Sequence, residues 1–179
     1  MGRVFARAIE AAGLSECQTR ALAGSGLGEP EIERLRRADL LLVAALADQV
    51  RAQFRGDEVR IVARSGLDEP NLAVFDAPAA EDGPTGADVL REIALLRLST
   101  PAKHGVAVSI DALGLELAQT ALLFGADVLF GDLAGKRTLP LLEGPAARRR
   151  ELQGLIERSG RRPHFADDTT SPTGAERRS

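Results

Sequence analysis

The chain has 179 residues, 44% of them hydrophobic, with a formal net charge of -3. That is enough apolar material for one domain with a real core and too little chain for two. The acidic balance and the absence of Tyr and Trp offer no basic face and no large amphipathic ring for stacking on bases, so nucleic acid is not an expected partner. Cys17 is the only cysteine, which excludes an internal disulfide and any three-thiolate iron–sulfur site within this chain.

Residues 3–12 read as a short amphipathic helix ended by Gly13. A weak helix over 16–23 follows, with Ser15 placed to cap it. The run 24–28, Gly-Ser-Gly-Leu-Gly, reads as a flexible break. Pro30 stands in the first turn of the next helix, 31–37. Asp39 caps a long helix over 40–54, whose Leu42, Ala45, Leu46 and Val50 share a face. Residues 58–63 (EVRIVA) and 71–75 (NLAVF) read as strands. Residues 77–86 are rich in Ala, Pro, Gly and acids and read as a loop. A helix over 87–98, a strand over 105–110, an apolar helix over 113–124, a strand over 126–130 and a charged helix over 146–158 complete the order. The longest apolar stretch, 40–47, is too short for a bilayer, and the first residues lack a signal-peptide layout. A soluble cytoplasmic protein without membrane contact is the expectation.

From residue 71 onward strands alternate with helices of ten or more residues. That spacing predicts parallel strands joined by right-handed crossovers. The expected fold class is α/β, with about four parallel strands and an N-terminal helical cap. Periodicity alone does not choose between an open sheet and part of a barrel. The expected organisation is a single domain over 1–166. It divides into a helical extension (1–28), a first helix and strand unit (29–63) and C-terminal βα units (70–166). A disordered tail covers 167–179.

The segment 113–165 carries a family resemblance. Leu113-Gly114, Ala118-Gln119, Ala121-Leu122 and Phe124-Gly125-Ala126-Asp127 form a helix-to-strand passage. Glu151, Leu155-Ile156, Ser159-Gly160-Arg161 and Pro163 follow in the last helix and beyond. Together they resemble the C-terminal end of the radical S-adenosylmethionine enzymes of the menaquinone (futalosine) branch, which include aminofutalosine synthase, dehypoxanthine futalosine cyclase and the FO synthases. Residues 86–98 resemble the helix before that family's penultimate strand. Asp39-Leu40-Leu41, Leu46-Ala47-Asp48, Val50-Arg51 and Gly56-Asp57 resemble its start. The matches span about four-fifths of the chain.

The resemblance implies a partial (β/α) barrel-like sheet in which strand 58–63 lies beside strand 126–130, as first and last strands do in a closed barrel. A whole barrel takes roughly 200 residues or more, so this chain corresponds to its two ends. The family's cluster-binding C-x-x-x-C-x-x-C follows the first strand. Here Ile61-Val62 is followed by Ala63-Arg64-Ser65-Gly66, without cysteine. The family's second acid after Gly-Ala-Asp is Val128 here, and the arginine expected after the terminal Gly-x-x-Pro run is Ala166.

In parallel α/β folds functional groups collect beyond the C-terminal ends of the strands. Asp76, Asp111 and Asp132 fall there in the sequence. With Asp127 inside the last strand they are candidates for a ligand-binding acidic mouth. The plainer reading is helix capping for Asp111, solvation for the others and a structural role for Asp127. His104 precedes its strand, away from the expected site, and His164 lies near a terminus. Cys17 has no second thiol and reads as inert. The run 24–28 has the wrong spacing and no preceding strand for a phosphate loop. Arg148-Arg149-Arg150 reads as a solvated face.

The expected function is a non-catalytic, cluster-less relative that binds a ligand or partner in or near the futalosine pathway. No catalytic residue, metal or cofactor is assigned. The expected partners are a second copy or a full-length radical S-adenosylmethionine homologue, because a barrel without its middle leaves an open sheet edge at 71–75. A small enzyme with other chemistry at the acidic mouth, or a decayed gene product, are the alternatives.

Overall fold

The computed structural model describes residues 3–64, 67–76, 83–131 and 145–166. The elements are α1 (Arg3–Ala11), α2 (Ser15–Ala23), α3 (Glu29–Arg36), α4 (Leu40–Arg55), β1 (Glu58–Ala63), β2 (Leu72–Val74), α5 (Gly86–Ser99), β3 (Gly105–Ser109), α6 (Ile110–Ala121), β4 (Val128–Gly131), α7 (Pro145–Arg158) and β5 (Arg162–Phe165). The expected 167–179 tail lies outside the described residues, as does most of the expected 77–86 loop. No helix of the described residues is long and apolar enough to cross a membrane.

The fold is α/β. One parallel sheet of five strands runs in the order β2-β3-β4-β1-β5. Strand β1 lies beside β4, with Arg60 opposite Val128 and Ile61 opposite Leu129, as the resemblance implies. The expected count of about four strands misses β5, which pairs parallel to β1 through Glu58–Arg162 and Ile61–Phe165.

Alternation along the strands sorts the side chains into two faces. Val59, Ile61, Val106, Val108, Leu129 and Phe165 join the large core formed with the helices. Every helix from α1 to α7 contributes a buried or partly buried residue to that core. The winding explains this one-sidedness: β2, β3, β4 and β5 advance in one direction across the sheet. Successive right-handed crossovers in one direction place their helices on the same face. The other face buries Val62, Ala107, Val128 and Phe130, with Leu67, Leu72 and Ala166 packed against them. Leu67 belongs to the short connection 64–71 that carries the chain from β1 to β2. Arg60 of β1 holds the same connection by donating to Glu69 at 2.8 Å.

The helix layer is pinned by local chemistry. Asp39 caps α4 by accepting from the Leu41 and Leu42 amides at 2.9 and 3.2 Å. Helix α4 buries Val43, Leu46, Ala47 and Val50, and each fully buried Val or Leu contributes about 1.5–3 kcal/mol. Thr85 and Asp88 form a reciprocal capping box at the start of α5. Helices α1 and α2 pack against α4. The run 24–28 is held in place rather than free. Ala102 N donates to Gly24 O at 3.0 Å, and Leu27 N donates to Leu98 O at 2.8 Å. Gly26 has φ +83°, and a Cβ there would sit 2.5 Å from Ser99 O. Only glycine fits that approach.

Candidate functional site

The strand-end mouth is built from the C-terminal ends of β2, β3 and β4. Asp111 stands two residues beyond β3, in the first turn of α6, and the helix is interrupted further on by Gly114 at φ +74°. Its carboxylate lies over Gly131 at the end of β4, 3.0 Å from where a Cβ would stand. Glycine at 131 therefore makes room for an acid from the end of the neighbouring strand. The cap expected of Asp111 falls to Ser109 instead, whose hydroxyl accepts from Ala112 N at 3.2 Å. Asp76 follows β2 and is exposed. Asp132 lies outside the described residues. Arg64, which the acid-centred sequence reading does not single out, follows β1 and sits over the Phe130 ring at 5.5 Å. Among the described residues no three His, Cys, Asp or Glu side chains gather as a metal would need.

Asp127 does not belong to this mouth. It precedes β4, at the end of the sheet away from Asp76 and Asp111, and is 1% exposed. Its Oδ1 accepts from Arg97 Nη2 at 2.6 Å and from Val106 N at 2.7 Å. Its Oδ2 accepts from Arg55 Nε at 2.5 Å. Arg97, fully buried, also donates to the carbonyls of Gly125 and His104. Burial pushes the Arg97 pKa down, and the Asp127 carboxylate opposes that shift. Three donors fill most of this carboxylate's roughly four acceptor positions, and its burial keeps a ligand from the rest. Its role is to lock α4 and α5 onto the starts of β3 and β4. The mouth is thus reduced to Asp76 and Asp111 among the described residues.

A second feature joins segments far apart in the sequence. An open cleft of about 410 Å³ runs between α3, α5 and the outer end of β2. Leu27, Ile32, Phe75, Leu95 and Leu96 supply its apolar lining, and Glu29, Arg36, Asp76 and Glu92 its charges. Arg36 pairs with Glu92. Sequence reading found the edge strand but not the cleft, because three separate segments assemble it. The only signal was the exposed acid Asp76 directly after an apolar strand.

Cys17 is fully buried in the helix layer. Burial pushes its thiol pKa up, with Arg34 pulling the other way. His104 stands at the N-terminal end of β3, and His164 lies on β5 opposite Arg60. Comparisons of the chain with protein-family models, curated proteins and solved structures give no significant match.

Proposed function

We propose that this chain is a non-catalytic, cluster-less relative of the radical S-adenosylmethionine enzymes of the menaquinone branch, acting by binding a partner protein in or near the futalosine pathway. The observation that carries the reading is β2. It is the last strand on its side of the sheet, its Val74 is 42% exposed, and it borders the cleft. A full-length homologue is the partner that the resemblance suggests, since the strands that would lie beyond β2 in a barrel are those of the middle this chain lacks.

Three further features support it. Neighbouring β1 and β4 are what the first and last strands of a barrel become when its middle is removed. The position after β1, where the family places its cysteines, holds Arg64 packed on Phe130. The single thiol is inside the helix layer, on the face of the sheet opposite Phe130.

Anaerobic incubation of the purified chain with iron, sulfide and S-adenosylmethionine under reducing conditions tests the non-catalytic part. The expected result is no chain-bound iron and no cleavage of S-adenosylmethionine. Stoichiometric iron, or cleavage above the protein-free control, would defeat it.

A further inference from the structure

Resting on the partner-binding reading, we propose that the outer edge of β2 and its adjoining cleft dock an extended segment of another protein, one carrying Arg or Lys among apolar residues. The ladder to β3 uses Asn71 O, which accepts from Gly105 N at 2.9 Å, and Phe75 N, which donates to Ala107 O at 2.8 Å. Backbone groups alternate sides along a strand. The N–H and C=O groups of Leu72 and Val74 therefore point away from β3, to the open edge. An added strand would meet them and complete the ladder, with main-chain hydrogen bonds giving affinity and adjacent pockets giving selectivity. The cleft beside Phe75 supplies that pocket, apolar at Ile32 and Leu96.

Charge selects the occupant. Arg36 is neutralised by Glu92, whereas Glu29 and Asp76 make no ion pair among the described residues. The apolar cleft at this edge is therefore left with two uncompensated acids, Glu29 and Asp76.

Fluorescence anisotropy of the full chain with a short labelled peptide of alternating valine and arginine tests the site. Saturable binding is expected. Methylating alternate backbone nitrogens of the peptide should weaken it by about tenfold or more, since strand hydrogen bonds are lost. Replacing its arginines by glutamate should abolish binding, and Asp76→Lys should weaken the arginine peptide and admit the glutamate one. Val74→Pro removes an outward N–H but no bond to β3, and should also weaken binding. Asp76 is exposed, so its variant keeps the test alive if Val74→Pro does not fold.

Equal binding of the methylated peptide, indifference to Asp76→Lys, or no binding by folded chain would overturn the proposal. So would a homodimer that Val74→Pro dissolves, since the edge would then belong to a second copy. Light scattering with a purified full-length homologue separates this site from the broader reading. A complex formed equally by wild type and both variants overturns the site and leaves the partner reading intact. Peptide binding without any such complex supports the site and removes that homologue as its partner.

Discussion

Arg97 Nη2 and Asp127 Oδ1 lie 2.6 Å apart with neither side chain more than 1% exposed. This pair joins the middle of the helix layer to the start of the central strands, and Arg55 closes it from the other side. Asp127→Ala leaves Arg97 charged and uncompensated in the interior, since an arginine does not lose its proton in a protein. Breaking such a pair by removing one partner costs about 3–5 kcal/mol. Urea unfolding should show that loss in Asp127→Ala, with part recovered in Asp127→Ala/Arg97→Met. A change within about 0.5 kcal/mol, as at an ordinary surface site, would show that the pair does not hold the layers together.

Gly26 offers a test of the pinned 24–28 run. A Cβ there would meet Ser99 O at 2.5 Å and require a strained positive φ. Gly26→Ala should destabilise the chain by about 1–3 kcal/mol, whereas Gly13→Ala meets no neighbouring atom and carries only the cost of its positive φ. Parallel thermal melts would check this. Equal melting points would mean that the run is a loose linker.

The Cys17 thiol gives a pH dependence of defined sign. Its folded pKa is raised by burial. The associated stability is complete below the unfolded thiol's pKa, about 8.5, and is lost as pH rises through the folded value. Few other groups confuse this window, because the chain has no Tyr and only Lys103 and Lys136 as lysines. The drop in melting temperature from neutral pH to about pH 10 should be smaller in Cys17→Ala than in the wild type. Iodoacetamide should leave the folded wild type unmodified under conditions that alkylate the unfolded chain. Rapid alkylation of the folded chain would contradict the burial.

The capping box at α5 predicts a modest local effect. Thr85 accepts from Asp88 N at 3.3 Å, and Thr85 N donates back to Asp88 at 3.0 Å. Thr85→Ala should cost about 1 kcal/mol in denaturant unfolding, with an unchanged slope. The thiol-independent acid limb should also shift, because hydrogen bonds from Thr85 hold the Asp88 carboxyl below its usual range. That stabilisation is present above the unfolded carboxyl's pKa and is lost as pH falls through the lowered folded value. Thr85→Ala should therefore matter less in strong acid.

The sequence showed elements whose signal is local. Strand β1 matches EVRIVA residue for residue, because β-branched residues alternate between faces and Gly56-Asp57 precede it. Asp39 and Pro30 marked the starts of α4 and α3 through capping and N-terminal turn chemistry. Strand β5 was missed because RPHF is short, begins next to a proline and shows no alternation of its own. It is a strand because β1 offers it a free edge. Asp127 was read as a possible ligand because its partners, Arg55 and Arg97, stand 72 and 30 residues away in the chain. Of the candidate mouth, the strand-end rule located Asp76 and Asp111. Nothing local in the sequence could say that Gly131 lies under Asp111, or that Leu27 and Leu96 share a cleft with Phe75.

The most direct test of the account is size exclusion with light scattering on the full chain mixed with a purified full-length radical S-adenosylmethionine enzyme of the menaquinone branch. A stable contact would bury on the order of 1,200 Å² or more of total surface, which the β2 edge and its cleft would anchor. The account predicts a species whose mass exceeds that of the enzyme by one or more copies of the 19.0 kDa chain, weakened by Asp76→Lys. Elution of the two proteins at their separate masses at every concentration would contradict it.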